Sequence, residues 1–258
     1  MNFIKFLGTA GARIVVTKQI RASGGLWLNL NQTNILIDPG PGTLVKCIAS
    51  KPRLDPFKLN GIILTHKHID HSNDINIMIE AMTEGGFKKQ GIVFAPADAL
   101  EDDPVLLKYV RNYVDKVEIL KEGGQYSIDN ITFNTPKKHI HSVETYGLNI
   151  KSSNIKLSLI SDTLYFEGLE KYYNGDIIIL NVVRLEPKSN LKYDIQHLTI
   201  LDAKKIINRI RPKIAILTHF GMTILRLKPW EIAKQMSEEL GIKVIAARDG
   251  MEFSLDKI

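Results

Sequence analysis

The 258-residue chain holds a single cysteine, Cys47. One thiol excludes an intrachain disulfide and any thiolate cage of the zinc-ribbon kind, since both need several sulfurs. Any metal bound here must be held by nitrogen and oxygen. Long hydrophobic runs are also missing. Lys, Asp, Asn or Gly interrupts every apolar stretch well before the ~20 residues a bilayer-spanning helix needs, so no integral membrane protein is expected. Met1 to Val16 carries an early Lys and is broken by Gly8, Gly11 and Arg13. It reads as a first strand and turn rather than a cleaved signal, and the default expectation is a cytoplasmic protein. Repeats and low-complexity segments are absent, which argues against a solenoid or propeller.

What is present is 44% hydrophobic and 24% charged residues, the balance of a globular protein rather than a disordered one. Strand-like runs alternate with helix-period segments, as expected of an α/β chain. Strands are predicted over 1–7, 25–30, 33–37, 61–65, 91–95, 116–120, 131–134, 146–150, 156–160, 176–180, 214–218, 243–246 and 252–255. So many strands imply two sheets. Helices are predicted over 44–49, 73–83, 104–113, 166–172, 199–210 and 229–240, the last opened by Pro229 and stopped by Gly241. No linker divides the chain, so 1–258 is read as one domain.

The formal net charge of +6 favours anionic partners without naming one. The basic stretch Lys204 to Lys213 alternates with Ile206, Ile207 and Ile210, which describes the solvent side of an amphipathic helix better than a nucleic-acid face. No aromatic residue interleaves there to stack bases.

The histidines carry more information than the charge. Leu64-Thr65-His66-Lys67-His68-Ile69-Asp70-His71 follows an apolar strand and precedes a helix, placing four potential ligands in one tight loop. Alternate residues of an extended loop point the same way, so His66 and His68 can converge on one ion, with Asp70 and His71 facing a second position. Imidazole and carboxylate suit zinc, iron or manganese.

The spacing His66-x-His68-x-Asp70-His71 resembles the signature of the metallo-β-lactamase superfamily, and the resemblance extends over nearly the whole chain in motif order. Asp38 in Ile37-Asp38-Pro39-Gly40-Pro41-Gly42-Thr43 resembles the early strand-ending Asp that organises a loop rather than binding metal. His141 resembles the third-motif histidine, Asp162 the metal-bridging carboxylate and His219, in Leu217-Thr218-His219-Phe220, the last ligand. The resemblance implies a four-layer αβ/βα sandwich with the site at one edge. It also implies two divalent ions, zinc foremost with manganese or iron as alternatives. His66, His68 and His141 would hold one, Asp70, His71 and His219 the other, with Asp162 between, and a shared water would become hydroxide. Asp70 is read as catalytic as well as ligating.

Members of the superfamily cleave β-lactams, thioesters, lactones and phosphodiesters, so the fold alone does not choose a reaction. Cys47, in a predicted helix away from the ligand motifs, disfavours members that use a ligating cysteine. It is expected to be a small buried apolar side chain. His197, in Asp194-Ile195-Gln196-His197-Leu198-Thr199 before a helix, resembles an element of the phosphodiesterase branch that includes tRNase Z and the phosphoribosyl cyclic phosphodiesterase. There the histidine lies beside the scissile phosphate, as a general acid or a hydrogen-bond donor. His141 and Asp162 stand only 21 positions apart. That leaves no room for the long arm with which tRNase Z grips RNA. A small cyclic or nucleotide-like phosphate ester is therefore expected as substrate ahead of RNA. A thioester or lactone hydrolase, or an armless tRNase Z-like endoribonuclease, is the alternative, and a non-catalytic metal-retaining binding module stands last. The cysteine-rich structural zinc site of the cyclic phosphodiesterase has no counterpart in Thr17 to Gly25. Members of the branch are often dimers, which makes a homodimer an expectation too.

Secondary candidates remain. Gly8-Thr9-Ala10-Gly11 lacks the Gly-Lys-Ser/Thr ending of a nucleotide P-loop and reads as a turn beside the site. Arg21, Ser23 and Gly24 either line the pocket or form a surface loop. Lys137, Lys138 and His139 read first as a solvated strand end, with phosphate attraction as the alternative. Glu144 and Tyr146 are candidates to orient His141 or meet substrate.

Overall fold

In the computed structural model, residues 1–186 and 196–256 are described. Asp194 and Ile195 of the segment quoted above lie outside them. In chain order the described elements are β1 (Phe3–Phe6), α1 (Ala12–Thr17), β2 (Leu26–Leu30), β3 (Thr33–Ile37), α2 (Thr43–Ala49), β4 (Gly61–Ile63), α3 (Ile69–Ser72), α4 (Ile75–Met82), β5 (Ile92–Ala95) and β6 (Lys116–Ile119). They continue with β7 (Gly124–Ile128), β8 (Ile131–Thr135), β9 (Leu148–Ser152), β10 (Ile155–Ile160), β11 (Ile177–Arg184), β12 (Leu198–Thr199), α5 (Ile200–Ile210), β13 (Ile214–Thr218), α6 (Met222–Arg226), α7 (Pro229–Leu240), β14 (Lys243–Ala246) and β15 (Met251–Ser254).

Two mixed sheets result, ordered β15-β1-β2-β3-β4-β5-β6 and β14-β13-β11-β10-β9-β8-β7, with β12 beside β11. The period-2 alternation of strand side chains explains the layering. Along β11, Ile177 and Ile179 join Ile35, Ile63 and Phe94 of the first sheet in the core between the sheets. Their neighbours Ile178 and Leu180 point outward and pack with Ala203, Ile206 and Ile207 of α5 and Met236 of α7. On the first sheet Ile62 and Leu36 likewise face Cys47 of α2 and Met78 and Ile79 of α4. Strands buried on both faces read as continuous apolar runs. Helix, sheet, sheet and helix stack as the expected four-layer αβ/βα sandwich.

The registers align the strand ends that matter. Parallel pairing places Ile160 of β10 beside Leu180 of β11, and Leu180 beside Leu217 of β13. The residues just beyond, Asp162, Asn181 and His219, therefore emerge at one level of one edge. Across the cleft β4 ends at Ile63, and its continuation carries His66 to the same edge.

Three expectations are corrected. No α-helix covers 104–113, where the only helical turn is 3₁₀, Tyr109–Asn112. The backbone there is satisfied by side chains instead: Arg111 donates to the carbonyls of Leu100 and Leu106, and Asn76 bonds Val105 O and Leu107 N. Likewise 166–172 forms only a 3₁₀ turn, Leu169–Tyr172, entered through Gly168 at φ 86°. The stretch read as strand and turn at the start holds a helix, α1, packed through Val15 and Val16 toward Met222 and Leu225. Strand β7 and the short α6 were not foreseen.

Candidate metal centre

The loop after β4 is not extended throughout. His68 has the extended angles φ −57° and ψ 142°, and the chain then turns into α3. This break sorts the ligands. His66 and His68 precede it, whereas Asp70 and His71 ride the helical turn, which still brings the His71 ring to 4.1 Å from that of His66. Gly40 lets the Asp38 loop close on this turn, because a Cβ there would stand 2.0 Å from the Asp70 carbonyl oxygen.

The donors converge in overlapping groups whose ligand atoms lie within 4.8 Å of one another: His66, His68 and His141 through ring nitrogens, Asp70, His71 and His219 through a carboxylate oxygen and two ring nitrogens, with Asp38, His66 and His71, and His141, Asp162 and His197, linking the first two clusters. His68 Nδ1 and His141 Nε2 are 3.0 Å apart, as are His71 Nε2 and His219 Nε2. Asp162 Oδ2 lies between the clusters, 3.7 Å from His66 Nε2 and 3.4 Å from His71 Nε2. Its other oxygen accepts a hydrogen bond from Asn181 Nδ2 at 2.9 Å, which fixes the carboxylate with Oδ2 facing the clusters.

Neighbouring groups set the tautomers. Asp38 takes hydrogen bonds from the backbone N–H and hydroxyl of Thr65, at 2.7 and 2.8 Å. His71 Nδ1 lies 3.0 Å from the same carboxylate, so it carries the proton donated there and leaves Nε2 as the lone-pair nitrogen. His141 Nδ1 faces the Gln196 carbonyl at 2.9 Å with the same consequence. Asp38 is thus engaged by Thr65 and His71.

The electrostatics divide the clusters. Burial pushes the His141 imidazole down to about 4. Burial likewise holds His66 well below its ordinary value, reinforced by His71, and lowers His68. His71 behaves oppositely: burial works against its charge, but Asp70 and Asp162 override it and raise the group well above 6.5. Burial also opposes the charge of Asp70 and Asp162. Surrounding histidines prevail and keep both carboxyls well below their usual range.

These residues fit divalent ions. His66 Nε2 is buried with no hydrogen-bond partner and stands 3.7 Å from Asp162 Oδ2. An orphaned buried polar atom costs about 1–3 kcal/mol, which coordination to a cation would relieve. The approach of His68 Nδ1 to His141 Nε2 also suits a shared cation. An all-nitrogen-and-oxygen donor set of this kind suits zinc, iron or manganese.

His197 joins the edge: its Nε2 is 3.1 Å from Asp162 Oδ2, and its Nδ1 is buried without a partner. It precedes the capping box in which Thr199 and Asp202 start α5. All seven predicted ligands, with His197, are therefore brought together at one sheet edge.

Several surrounding expectations change. His139 is buried rather than solvated. Its Nδ1 faces the Asp162 carbonyl at 3.2 Å, its Nε2 bonds the buried Tyr173 hydroxyl, and burial holds it down to about 4. Lys137 and Lys138 do form a solvated strand end, tied to Glu122. Glu144 and Tyr146 hydrogen-bond each other and the Asp98 loop rather than His141. Gly8 to Gly11 is indeed a turn beside the site: Phe220 N donates to Thr9 O, and a Cβ on Gly11 would lie 2.0 Å from the His219 carbonyl oxygen. Ser23 is buried, while Arg21 lines a neighbouring recess. Cys47 is buried, and burial pushes its thiol to about 12. Asn181, Tyr173 and Thr65 were missed; as isolated polar residues in or beside apolar strands they carry no spacing signal.

Comparison with known proteins agrees with this construction. The Beta-lactamase superfamily domain matches residues 33–220. An uncharacterized protein of Methanocaldococcus jannaschii is 30% identical over 98% of this chain and 94% of its own length. A UPF0173 metal-dependent hydrolase of Staphylothermus marinus is 27% identical over 98% of this chain and 99% of that one. Ribonuclease Z of Methanococcus maripaludis is 22% identical over 73% of this chain and 65% of that one. Among solved structures, the metallo-β-lactamase fold protein YhfI of Bacillus subtilis superimposes with TM-score 0.76 at 19% identity, covering 98% of both chains. A diphosphatase of the PhnP family does so with TM-score 0.70 at 17% identity, covering 98% of this chain and 96% of that one. With its four layers, its edge site and this match over most of its length, the chain belongs to the metallo-β-lactamase superfamily, a family of metal-dependent hydrolases.

Proposed function

We propose that the protein is a dinuclear metal-dependent phosphodiesterase acting on a small cyclic or nucleotide-like phosphate ester. The observation that carries this reading is the position of His197, whose Nε2 stands 3.1 Å from the oxygen of Asp162 that faces both donor clusters. His66, His68 and His141 would hold one ion, Asp70, His71 and His219 the other, with Asp162 shared and Zn²⁺ the favoured metal. Ions bound there would supply Lewis acidity and activate water near neutral pH.

The chain's own groups do the rest. Asp38 and the Gln196 carbonyl fix the tautomers of His71 and His141. Asn181 holds the Asp162 carboxylate. Asp70 adds the negative charge that balances a cation at the second cluster. His197 is placed to donate a hydrogen bond to a nonbridging phosphate oxygen or a proton to the leaving alkoxide, the role for which an imidazole is suited near neutrality. A relative named ribonuclease Z and a structural neighbour titled a diphosphatase support phosphoester chemistry. RNA is the less favoured substrate, because His141 and Asp162 are joined by β9, β10 and short connections only. Function in the cytoplasm and as a homodimer belongs to the same reading.

The test is a panel of bis-p-nitrophenyl phosphate, cyclic nucleotides, thioesters, lactones and precursor tRNA on metal-loaded protein. Diesters should turn over fastest. His197→Ala should lower kcat by about 10²–10⁴-fold, the usual weight of general acid–base catalysis, with metal content retained. Faster turnover of thioesters together with indifference to His197→Ala would overturn the proposal.

A further inference from the structure

Next to the metal centre, a recess of about 360 Å³ is lined by Arg21, Pro229, Trp230, Ala247, Arg248 and Met251. Its position follows from strand register. Leu217 of β13 pairs with Ala246 of β14, so His219 and Arg248 each stand two residues beyond a matched pair on neighbouring parallel strands. Ala247 N donates to Leu217 O at 2.8 Å and binds the two strand ends together. From the other side, Arg21 Nη1 donates to Thr9 Oγ1 at 3.4 Å, and the carbonyl of Thr9 accepts from Phe220 N, the residue after His219. Ligands of open α/β sheets bind outside the carboxyl ends of parallel strands, which is where this recess lies.

What sets the recess apart is two guanidiniums beside an exposed indole. Among the described residues neither Arg21 nor Arg248 has a carboxylate within ion-pair distance. The neighbouring acid, Asp249, is committed elsewhere, with Oδ1 accepting from the Thr9 hydroxyl and Oδ2 from Ala22 N, both at 2.7 Å. Between the guanidiniums the wall is apolar, and it includes an indole 58% exposed at the start of α7, where a globular protein gains nothing by leaving it. A bare anion would use the arginines and ignore Trp230, Pro229 and Met251. A planar base carrying a phosphate uses all of them, by stacking on the indole and by forked hydrogen bonds from guanidinium.

We propose that this recess binds the base and a non-scissile phosphate of a nucleotide diester whose scissile phosphate lies at the metal centre. The proposal rests on the phosphodiesterase reading above and names its substrate class as nucleotidic.

The chain's two tryptophans make a direct test. Trp27 is 2% exposed and Trp230 58%, so a ligand in the recess should quench Trp230 alone. Zn²⁺-loaded protein titrated with 5′-AMP should show saturable quenching. Inorganic phosphate should give none, Trp230→Phe should abolish the effect, and Arg248→Glu should weaken AMP binding by about tenfold or more, given the weight of charge-assisted pairing. Quenching that survives Trp230→Phe, equal quenching by inorganic phosphate, or unchanged affinity in Arg248→Glu would each overturn the proposal. The readout needs no turnover, so the two readings fail separately. Quenching by AMP in an enzyme that hydrolyses only thioesters would sink the phosphodiesterase and leave the recess. An active diesterase with no AMP quenching would sink the recess alone.

Discussion

The two sheets deliver their candidate ligands by different means. The first supplies four from a single six-residue loop, His66 to His71, which turns into a helix after His68. The second supplies them one at a time, with Asp162 beyond β10, His219 beyond β13 and His141 from the connection between β8 and β9. A local loop needs only its own backbone to be correct. Isolated ligands need the register of three parallel strands, and Ile160, Leu180 and Leu217 provide it by standing side by side. The charges differ in parallel. Burial holds the imidazoles of the all-histidine group below their ordinary range, whereas Asp70 and Asp162 raise that of His71 above it.

If the second sheet's single ligands are the sensitive points, Asp162→Ala should have the largest effect, because Oδ2 faces both clusters. Activity on bis-p-nitrophenyl phosphate should fall by more than about a hundredfold, beyond the usual loss for an outer partner of a ligand, with metal content reduced. Full activity would dismantle the comparison. Asn181→Ala should follow, with metal affinity lowered about 10–100-fold by calorimetric titration, since Asp162 loses the bond that aims it. Gly11→Ala probes the same strand end sterically. Its Cβ would stand 2.0 Å from the carbonyl oxygen and 2.6 Å from Nδ1 of His219, so overpacking should cost about 1–3 kcal/mol in denaturant unfolding.

The smallest effect lies outside the site. Hydrogen bonds from Lys205 and Arg209 hold Glu167 down to about 2. Its folded value is below its ordinary 4.5, so its contribution to stability is present above 4.5 and lost as pH falls toward 2. The carboxylate is 71% exposed, so solvent screening keeps the contribution small. Glu167→Gln should therefore flatten the acid limb of Tm against pH only slightly, leaving activity near neutrality alone.

Continuous apolar runs such as Ile177–Leu180 made the buried strands legible, and the helical period of their apolar residues did the same for α5 and α7. The failures have a common cause. At 104–113 the helical pattern was overridden because Arg111 and Asn76 offered the backbone carbonyl and amide groups other partners. At α1 the stretch after the first strand reads as a turn because Gly8, Gly11 and Arg13 break it, and packing of Val15 and Val16 toward Met222 and Leu225 makes it a helix instead. His139 looked solvated beside two lysines; the Tyr173 hydroxyl and the Asp162 carbonyl, distant in sequence, bury it.

The sequence alone determined the donor chemistry: one cysteine left nitrogen and oxygen, and the spacing of His66, His68, Asp70 and His71 concentrated them in one loop. It also determined the order of the strands that end in Asp162 and His219. Only the tertiary structure decided which ring nitrogen faces the centre, that Asn181 aims Asp162, and that Arg21 and Arg248 meet beside Trp230. Hydrogen bonds and recesses between residues far apart in the chain exist only once strand register brings them within about 3 Å, and no local spacing encodes that.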